Sequence, residues 1–409
     1  MPSASTPLRI ALVCLHTSPG AEPGSGDAGG MNVVVRHQAE AMATAGHTIE
    51  ILTRRSSPNQ PDSMPLAPGV TLRFLTAGPS RPVSKGEHEG FVDEFRMRLA
   101  ELGTFDVIHS HHWFSGMAAL PLARLTGTPH VQSFHSIAAD DSTPLAAGER
   151  AESPGRMAGE AWLARESDAV VAVSAAEADT VVLRLGGPID RVRIAYPGVD
   201  GALFHPQPPA AVGAGYVVVA ARVQPLKGLD LAIEAVAAVP TALRPDLVIA
   251  GDASSDFGGY IDCLTALAAR HGIEHGLRFV GPQSRAELAG LLRGARIVLV
   301  PSHSETYGLV ALEAAASGVP TIVAASGGLR EAVDDGVTGL VLDSRDPQVW
   351  ASAIADVLAD PALAHRLADA GRTRAEGLDW PRSAESVIAV YRDLVGSGTT
   401  GRQRDFAVA

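Results

Sequence analysis

Only two cysteines occur in 409 residues, Cys14 in an apolar run and Cys263 in a stretch of helical period, so no disulfide framework is available. No apolar run approaches the ~18 residues that span a bilayer, and the opening "MPSASTPLR" lacks the apolar core of a signal peptide. A soluble cytoplasmic protein is expected. Positive charge is scarce: 33 Lys and Arg stand against 45 Asp and Glu, a formal net charge of −12. Nucleic acids and anionic membranes recruit basic faces, so neither is an expected partner. Charged residues make up 19% and hydrophobic residues 46%. That is too long and too apolar for one ordinary domain, and two of about 200 residues are expected.

Short Val, Ile, Leu and Ala runs alternate with longer stretches of helical period, the form of parallel sheets with crossover helices. The first-half runs fall at 8–15, 48–54, 70–77, 105–111, 129–135, 168–174 and 192–200. A second series falls at 215–222, 245–252, 276–282, 295–302, 320–326 and 338–343. The Pro- and Ala-rich stretch between the two series, 196–215, reads as a linker. The first domain is expected over 1–198 together with a returning helix at 381–396, the second over 199–380, and a loose tail over 397–409. The apolar stripe Val387, Ile388, Val390, Tyr391 and Leu394 needs a partner surface, and the first domain is the expected one. Ligands of such sheets bind beyond the carboxyl ends of the strands, so the cleft between the domains is the expected site.

Four elements carry chemistry. "GDAGGMN", ending at Asn32, lies between the first strand and its helix, where free N–H groups and the helix dipole favour an anion; the plain alternative is a connector. "ARVQPLKG" places Arg222 and Lys227 just past a strand, where two cations clamp a diphosphate unless they are ordinary surface charges. "SETYGLVALE" sets Glu305 in a loop and Glu313 within the next helix. Both are acceptors for sugar or ribose hydroxyls, unless they merely decorate a helix start. "SGG" at 326–328 looks like a second glycine turn before a helix. Histidines cluster in "HSHHWFSG" (His109, His111, His112) and "SFHS" (His135). Their spacing suits no zinc site; contacts to a sugar are expected for some, structural roles for at least two.

The Gly-rich loop after the first strand, "SFHS", "ARVQPLKG" and "SETYGLVALE", in that order over two α/β domains, resemble the retaining GT-B nucleotide-sugar glycosyltransferases over residues 8–395. The likeness is greatest to the D-inositol-3-phosphate N-acetylglucosaminyltransferases of mycothiol biosynthesis, whose opening loop also reads like His16–Asn32; Lys85 in "SKGE", Arg156 in "ESPGRMAGE" and "PQSRAEL" match as well. The fold implied is α/β GT-B, two doubly wound Rossmann-like domains facing across a cleft. The resemblance implies that Glu22, Pro23, Gly30, Arg222, Lys227, Gln283, Glu305 and Glu313 bind UDP-N-acetylglucosamine. It assigns His16, Asp27, Ala28, Gly29, Gly30, Met31, Asn32, Lys85, His112, Ser136 and Arg156 to the inositol phosphate. Catalysis falls to His135, Arg222, Lys227 and Glu305, with His135 holding the donor sugar at its 6-hydroxyl rather than acting as a base. A structural magnesium would rest on backbone carbonyls near Leu292, Arg293, Ala295 and Val319, and no cofactor is required for catalysis. A homodimer is a further implied possibility. Three positions depart from the family pattern: His112 stands for Tyr, Ser136 for Thr and Glu22 for Gln.

The family retains anomeric configuration, which implies a front-face substitution assisted by the leaving diphosphate. Other readings stay open: another cyclitol acceptor such as deoxystreptamine, a sugar phosphate acceptor as in sucrose-phosphate synthase, or a non-catalytic nucleotide-sugar sensor. Arg156 also has a plain reading, as the ion-pair partner of Glu152 or Glu160 four residues away on a helix.

Overall fold

The computed structural model describes residues 6–22, 28–139, 142–144, 148–206, 215–252 and 257–405, with side chains to 396. The first sheet is built from β1 (Arg9–Cys14), β2 (Thr48–Arg54), β3 (Ser63–Ala67), β4 (Val70–Leu75), β5 (Val107–His111), β6 (His130–Ser133), β7 (Ala169–Ala172) and β8 (Val192–Ile194). The second is built from β9 (Tyr216–Ala220), β10 (Asp246–Ala250), β11 (Leu277–Gly281), β12 (Ala295–Val300), β13 (Thr321–Ala324) and β14 (Leu340–Leu342). Every run expected as a strand holds one. A strand covered by helices on both faces reads as a continuous apolar run, and β1, RIALVC, is buried at all but its first residue. The strand not foreseen is β3, which pairs antiparallel with β4 at the sheet edge. It carries Pro65, which lacks a ladder donor and is tolerated only at such an edge.

The strand orders are β3-β4-β2-β1-β5-β6-β7-β8 and β11-β10-β9-β12-β13-β14. The winding reverses between β1 and β5 in the first sheet and between β9 and β12 in the second. A crevice opens at the carboxyl ends of such strands. His16 follows β1, His112 follows β5, Arg222 and Lys227 follow β9, and Glu305 follows β12. Topology alone therefore brings the sequence motifs to the two reversal points.

Two apolar layers cover the faces of the first sheet, one around Phe95, Phe114 and Leu163, the other around Met42, Ile51 and Tyr391. The second domain has its own core, with Trp350 fully buried. The expected linker is partly core: Phe204 is 1% exposed and packs in the second domain. Two strands of chain cross between domains side by side, for Val199 pairs with Asp379 and its N–H donates to Leu378 O at 2.8 Å. A Cβ at Gly198 would come within 2.4 Å of Asp379 backbone, so only glycine lets the crossings touch.

After the second crossing the helix Trp380–Asp405 returns to the first domain, and its backbone runs on through most of the stretch expected as a loose tail. Val387, Ile388, Val390 and Tyr391 are buried there against Ile10 and Met42, each such side chain contributing about 1.5–3 kcal/mol. His37 stacks on Trp380 with ring centroids 5.0 Å apart, and Gln38 donates to Ser383 Oγ at 2.9 Å. No helix among the described residues is long and apolar enough to cross a membrane.

Candidate active site

A cleft of about 350 Å³ lies between the domains and is lined from both. His16, residues 28–32, Lys85, His112, His135 and Ser136 face it from the first domain; Arg222, Lys227, Gln283, Glu305 and Glu313 face it from the second.

On the second-domain wall, Lys227 Nζ lies 2.5 Å from Glu305 Oε1, which also accepts from Ser302 Oγ at 3.1 Å. The loop that carries Glu305 is fixed by the "SGG" glycines. A Cβ at Gly327 would reach within 2.2 Å of Glu305 O, and one at Gly328 within 2.2 Å of Thr306 O. The glycine turn does precede a helix, Leu329–Ala332, but that helix is a single turn, and the glycines let the Glu305 loop pack. Glu313 lies in the helix Leu309–Ala316 with its side chain 4% exposed. Burial pushes its carboxyl up, and the Arg285 guanidinium, 2.7 Å away, pulls it back. Arg285 was missed in the sequence although "PQSRAEL" contains it. It stacks over Phe204 at 4.7 Å, and its Nε and Nη2, with Glu313 Oε2, are buried without partners among the described residues. Such atoms cost about 1–3 kcal/mol each, and a ribose hydroxyl is of the right chemistry to satisfy them. Gln283 lines the cleft, but its amide donates to Val280 O at 3.0 Å and turns toward its own loop.

The Gly-rich loop ends at the helix Gly30–Thr44. A Cβ at Gly29 would meet nothing within 4 Å, so packing does not demand glycine there; the open space belongs to the cleft. Asn32 is 1% exposed, and its amide donates to Ser18 O at 2.8 Å and Thr17 Oγ1 at 3.1 Å. Its side chain staples the loop rather than reaching for a ligand. Pro23 and Asp27 lie outside the described residues. Glu22 is exposed and stands apart from the cleft lining, so the structure does not bring it to the donor.

At the acceptor end, His16 and His112 lie with ring centroids 4.2 Å apart and planes tilted by 39°. Burial pushes both well below their ordinary pKa, and Lys85 adds to the shift. Both are neutral, and His16 Nδ1 with both ring nitrogens of His112 are buried without partners among the described residues. A neutral imidazole both donates and accepts, which suits hydroxyl groups. Lys85 Nζ sits 2.6 Å from Glu149 Oε1. Arg156 corrects an expectation: it is fully buried and does not line the cleft. Its Nε donates to Glu160 at 2.8 Å, Nη1 pairs with Glu152 and Glu149, and Nη2 donates to Ser136 Oγ at 3.0 Å. Both plain pairings open in the sequence are thus made at once. Burial pushes Glu149 up, but Lys85, Arg156 and Arg222 together hold it well below the usual carboxylate range.

His135 sits at the head of the cleft with φ of 60°, as does His112 with 69°. Left-handed backbone is uncommon for such residues and is maintained only where surroundings fix it. Thr306 Oγ1 reaches across from the second domain to donate to His135 O at 2.7 Å. A second crossing contact is Glu331, whose carboxylate accepts from Ala175 and Ala176 N–H at 2.8 and 2.9 Å. Burial pushes His135 down to about 4, so it is neutral and holds rather than titrates.

Leu292, Arg293, Ala295 and Val319 stand away from the cleft. Their carbonyls are hard oxygen donors that suit magnesium, though Leu292 O already accepts from Ala295 N–H at the helix end. Among the described residues no cluster of three His, Cys, Asp or Glu is arranged to hold a metal.

Residues 29–198 match the family described as glycosyl transferase 4-like domain, and residues 203–374 match glycosyl transferases group 1. The chain is 38% identical over 96% of its length to a D-inositol 3-phosphate glycosyltransferase 1 of Catenulispora acidiphila, covering 98% of that protein. It is 39% identical over 92% of its length to a D-inositol 3-phosphate glycosyltransferase of Frankia alni, again covering 98%. Among solved structures, a sucrose-phosphate synthase from Thermosynechococcus elongatus is similar with a TM-score of 0.86 and 28% identity, over 95% of this chain and 99% of that one. Anabaena HepE in complex with UDP and glucose shares the fold with a TM-score of 0.73 and 20% identity, over 93% and 98% of the two chains. With carboxylates and cations gathered at the two reversal points of a GT-B fold, this chain is a hexosyltransferase and belongs to the group 1 glycosyltransferases, in the branch that holds the D-inositol 3-phosphate glycosyltransferases.

Proposed function

We propose that the enzyme transfers N-acetylglucosamine from UDP-N-acetylglucosamine to 1D-myo-inositol 3-phosphate with retention of configuration, as in the opening step of mycothiol biosynthesis. The observation that carries the donor half is the pair Glu305 and Glu313, both lining one cleft with Lys227 and Arg222, opposite the helix N-terminus at Gly29 and Gly30. Arg222, Lys227 and the N–H groups of that terminus neutralise the departing UDP. Losing one such donor typically costs ~10²–10³ in rate. Glu305 is paired with Lys227, which leaves it poised to hold sugar hydroxyls rather than to attack the anomeric carbon. The reaction is then a front-face substitution in which a diphosphate oxygen takes the acceptor proton. His135, neutral, orients the sugar. The names of the relatives support the acceptor. A cytoplasmic enzyme, a homodimer and a structural magnesium belong to the same proposal.

A second reading of the acceptor rests on one observation. Lys85, which lines this end of the cleft, is already paired with Glu149, and Arg156 behind it is buried among Glu149, Glu152 and Glu160. Three carboxylates against two cations suit an uncharged or amino cyclitol. Release of the nucleoside diphosphate, UDP from UDP-N-acetylglucosamine and UDP-glucose or GDP from GDP-mannose, measured over phosphorylated, plain and amino cyclitols, tests both. The first reading expects inositol 3-phosphate to be preferred over free inositol; equal use of the two removes it and leaves the donor assignment standing.

A further inference from the structure

We propose that His111 is the positioning residue for His135: its Nδ1–H donates to His135 Nε2 and so obliges His135 to present Nδ1–H to the cleft. The two rings meet with His111 Nδ1 and His135 Nε2 2.8 Å apart, ring planes 28° from parallel. One of these nitrogens carries the proton, and geometry at that contact alone does not choose between them.

The other end of His111 decides it. His111 Nε2 is buried and has no partner among the described residues. If His135 were the donor, neutral His111 would carry its own proton on Nε2, an N–H buried with nothing to accept it. If His111 is the donor, Nε2 is a bare lone pair. Buried orphan N–H groups are rare, and unfilled acceptors less so. His111 is therefore the donor. Both rings are neutral, because burial pushes His135 down to about 4 and His111 well below its ordinary value.

The groups packed around His111 agree. His109, whose ring centroid lies 4.2 Å from that of His111, is locked by its own bonds. Ser133 commits its hydroxyl proton to Val171 O at 2.7 Å, so His109 Nε2 must donate to Ser133 Oγ at 2.9 Å. His109 Nδ1 then accepts from Tyr391 O–H at 2.6 Å. A neutral, fully bonded His109 offers His111 no proton and no charge. The returning C-terminal helix, through Tyr391, thus backs a row of three imidazoles, His109, His111 and His135, whose last member faces the cleft. Among the described residues Nδ1 of His135 has no partner. An N–H there recognises a hydroxyl oxygen and holds it as an acceptor, which suits a donor-sugar hydroxyl; this last step rests on the sugar-transfer reading.

The test uses the full-length protein labelled with ¹⁵N-histidine, with the His135 resonances assigned by their loss in His135→Asn. At pH 7 the ring-nitrogen shifts of the wild type are expected to show the proton on Nδ1 of His135. In His111→Asp, whose carboxylate accepts at the place of Nδ1, Nε2–H is expected to appear. In His111→Asn, whose amide donates from the place of Nδ1, the wild-type pattern is expected to return. With a UDP-sugar, His111→Leu is expected to lower kcat about tenfold or more with donor KM within about twofold, and His111→Asn to recover most of it. A wild-type His135 carrying its proton on Nε2 overturns the proposal, as does an unchanged Nδ1–H pattern in His111→Asp. Should His111→Asp not fold, the wild-type tautomer alone decides. A wild type that turns over no UDP-sugar but shows Nδ1–H contradicts the sugar-transfer reading and supports the hydrogen-bond assignment.

Discussion

Thr306 Oγ1 donates to the backbone oxygen of His135 at 2.7 Å, joining the Glu305 loop of the second domain to the first. The bond is short and spans the cleft, so it forms only when the domains stand as they do here. It helps to hold His135 at φ of 60°. Thr306→Val is expected to lower kcat about five- to tenfold and Thr306→Ser to retain it, with stability changed by about 0.5–1.5 kcal/mol. Steady-state kinetics beside a denaturation midpoint checks this; equal activity in both variants denies Thr306 any part in setting the histidine.

Glu305→Ala and Lys227→Ala are each expected to lower turnover at least about tenfold while circular dichroism and melting stay near wild type. Neither side chain is core: they are 20% and 14% exposed and line the cleft. Near wild-type turnover in both variants contradicts the transferase reading.

Arg156 acts on folding before it acts on substrate. Removing it leaves Glu160, 1% exposed, without its cation and Glu152 with only Lys85, 3.9 Å away. Breaking a buried pair from one side costs about 3–5 kcal/mol. Arg156→Ala is expected to lose that much in urea denaturation, whereas Lys85→Ala, nearer the surface, is expected to raise acceptor KM with little loss of stability. A fully stable Arg156→Ala with only a raised acceptor KM would restore the direct phosphate role that the sequence implied.

Stability is expected to fall as pH drops below about 6.5. His16, His109, His111, His112, His130 and His135 are all held below their ordinary pKa, chiefly by burial, with His130 near 3 and His135 near 4. Below 6.5 the unfolded chain binds protons that the folded chain refuses, so each contributes up to about 1.4 kcal/mol lost per pH unit. Glu177, pushed up to about 7 by burial, runs the other way between about 7 and 4.5 and offsets one of the six. Denaturation midpoints from pH 8 to 5 test the sign; a flat or rising profile on acidification contradicts the burial of these rings.

The sheets were legible because buried parallel strands leave continuous apolar runs, and β3 was not because Pro65 and an edge position break that pattern. The clustering of His16, Arg222, Lys227, Glu305 and Glu313 was legible because each follows a strand at a reversal of winding. Arg285 escaped notice because a guanidinium held by a helix glutamate 28 residues later leaves no local spacing signal. Arg156 was misplaced for a related reason. Its sequence neighbours Glu152 and Glu160 announced pairing, but only the fold adds Glu149 and buries the whole group. The turn at Gly327 and Gly328 was legible as glycines before a helix, but not its use in packing the Glu305 loop, because glycine serves close backbone packing and close ligand approach alike.

Chelation is expected to leave most activity intact. On the proposed reading Arg222 and Lys227, both lining the cleft, would neutralise the diphosphate themselves, and the sequence has no Asp-x-Asp motif. Complete loss with EDTA, restored by Mn²⁺, would place a metal on the diphosphate instead.

The most direct measurement of the central claim is the anomeric configuration of the product formed from UDP-N-acetylglucosamine and inositol 3-phosphate, read by ¹H NMR as UDP is released. The account predicts an α-linked N-acetylglucosaminyl product, the configuration of the donor retained, formed in step with UDP. A β-linked product, or UDP release with no glycoside formed, would contradict it.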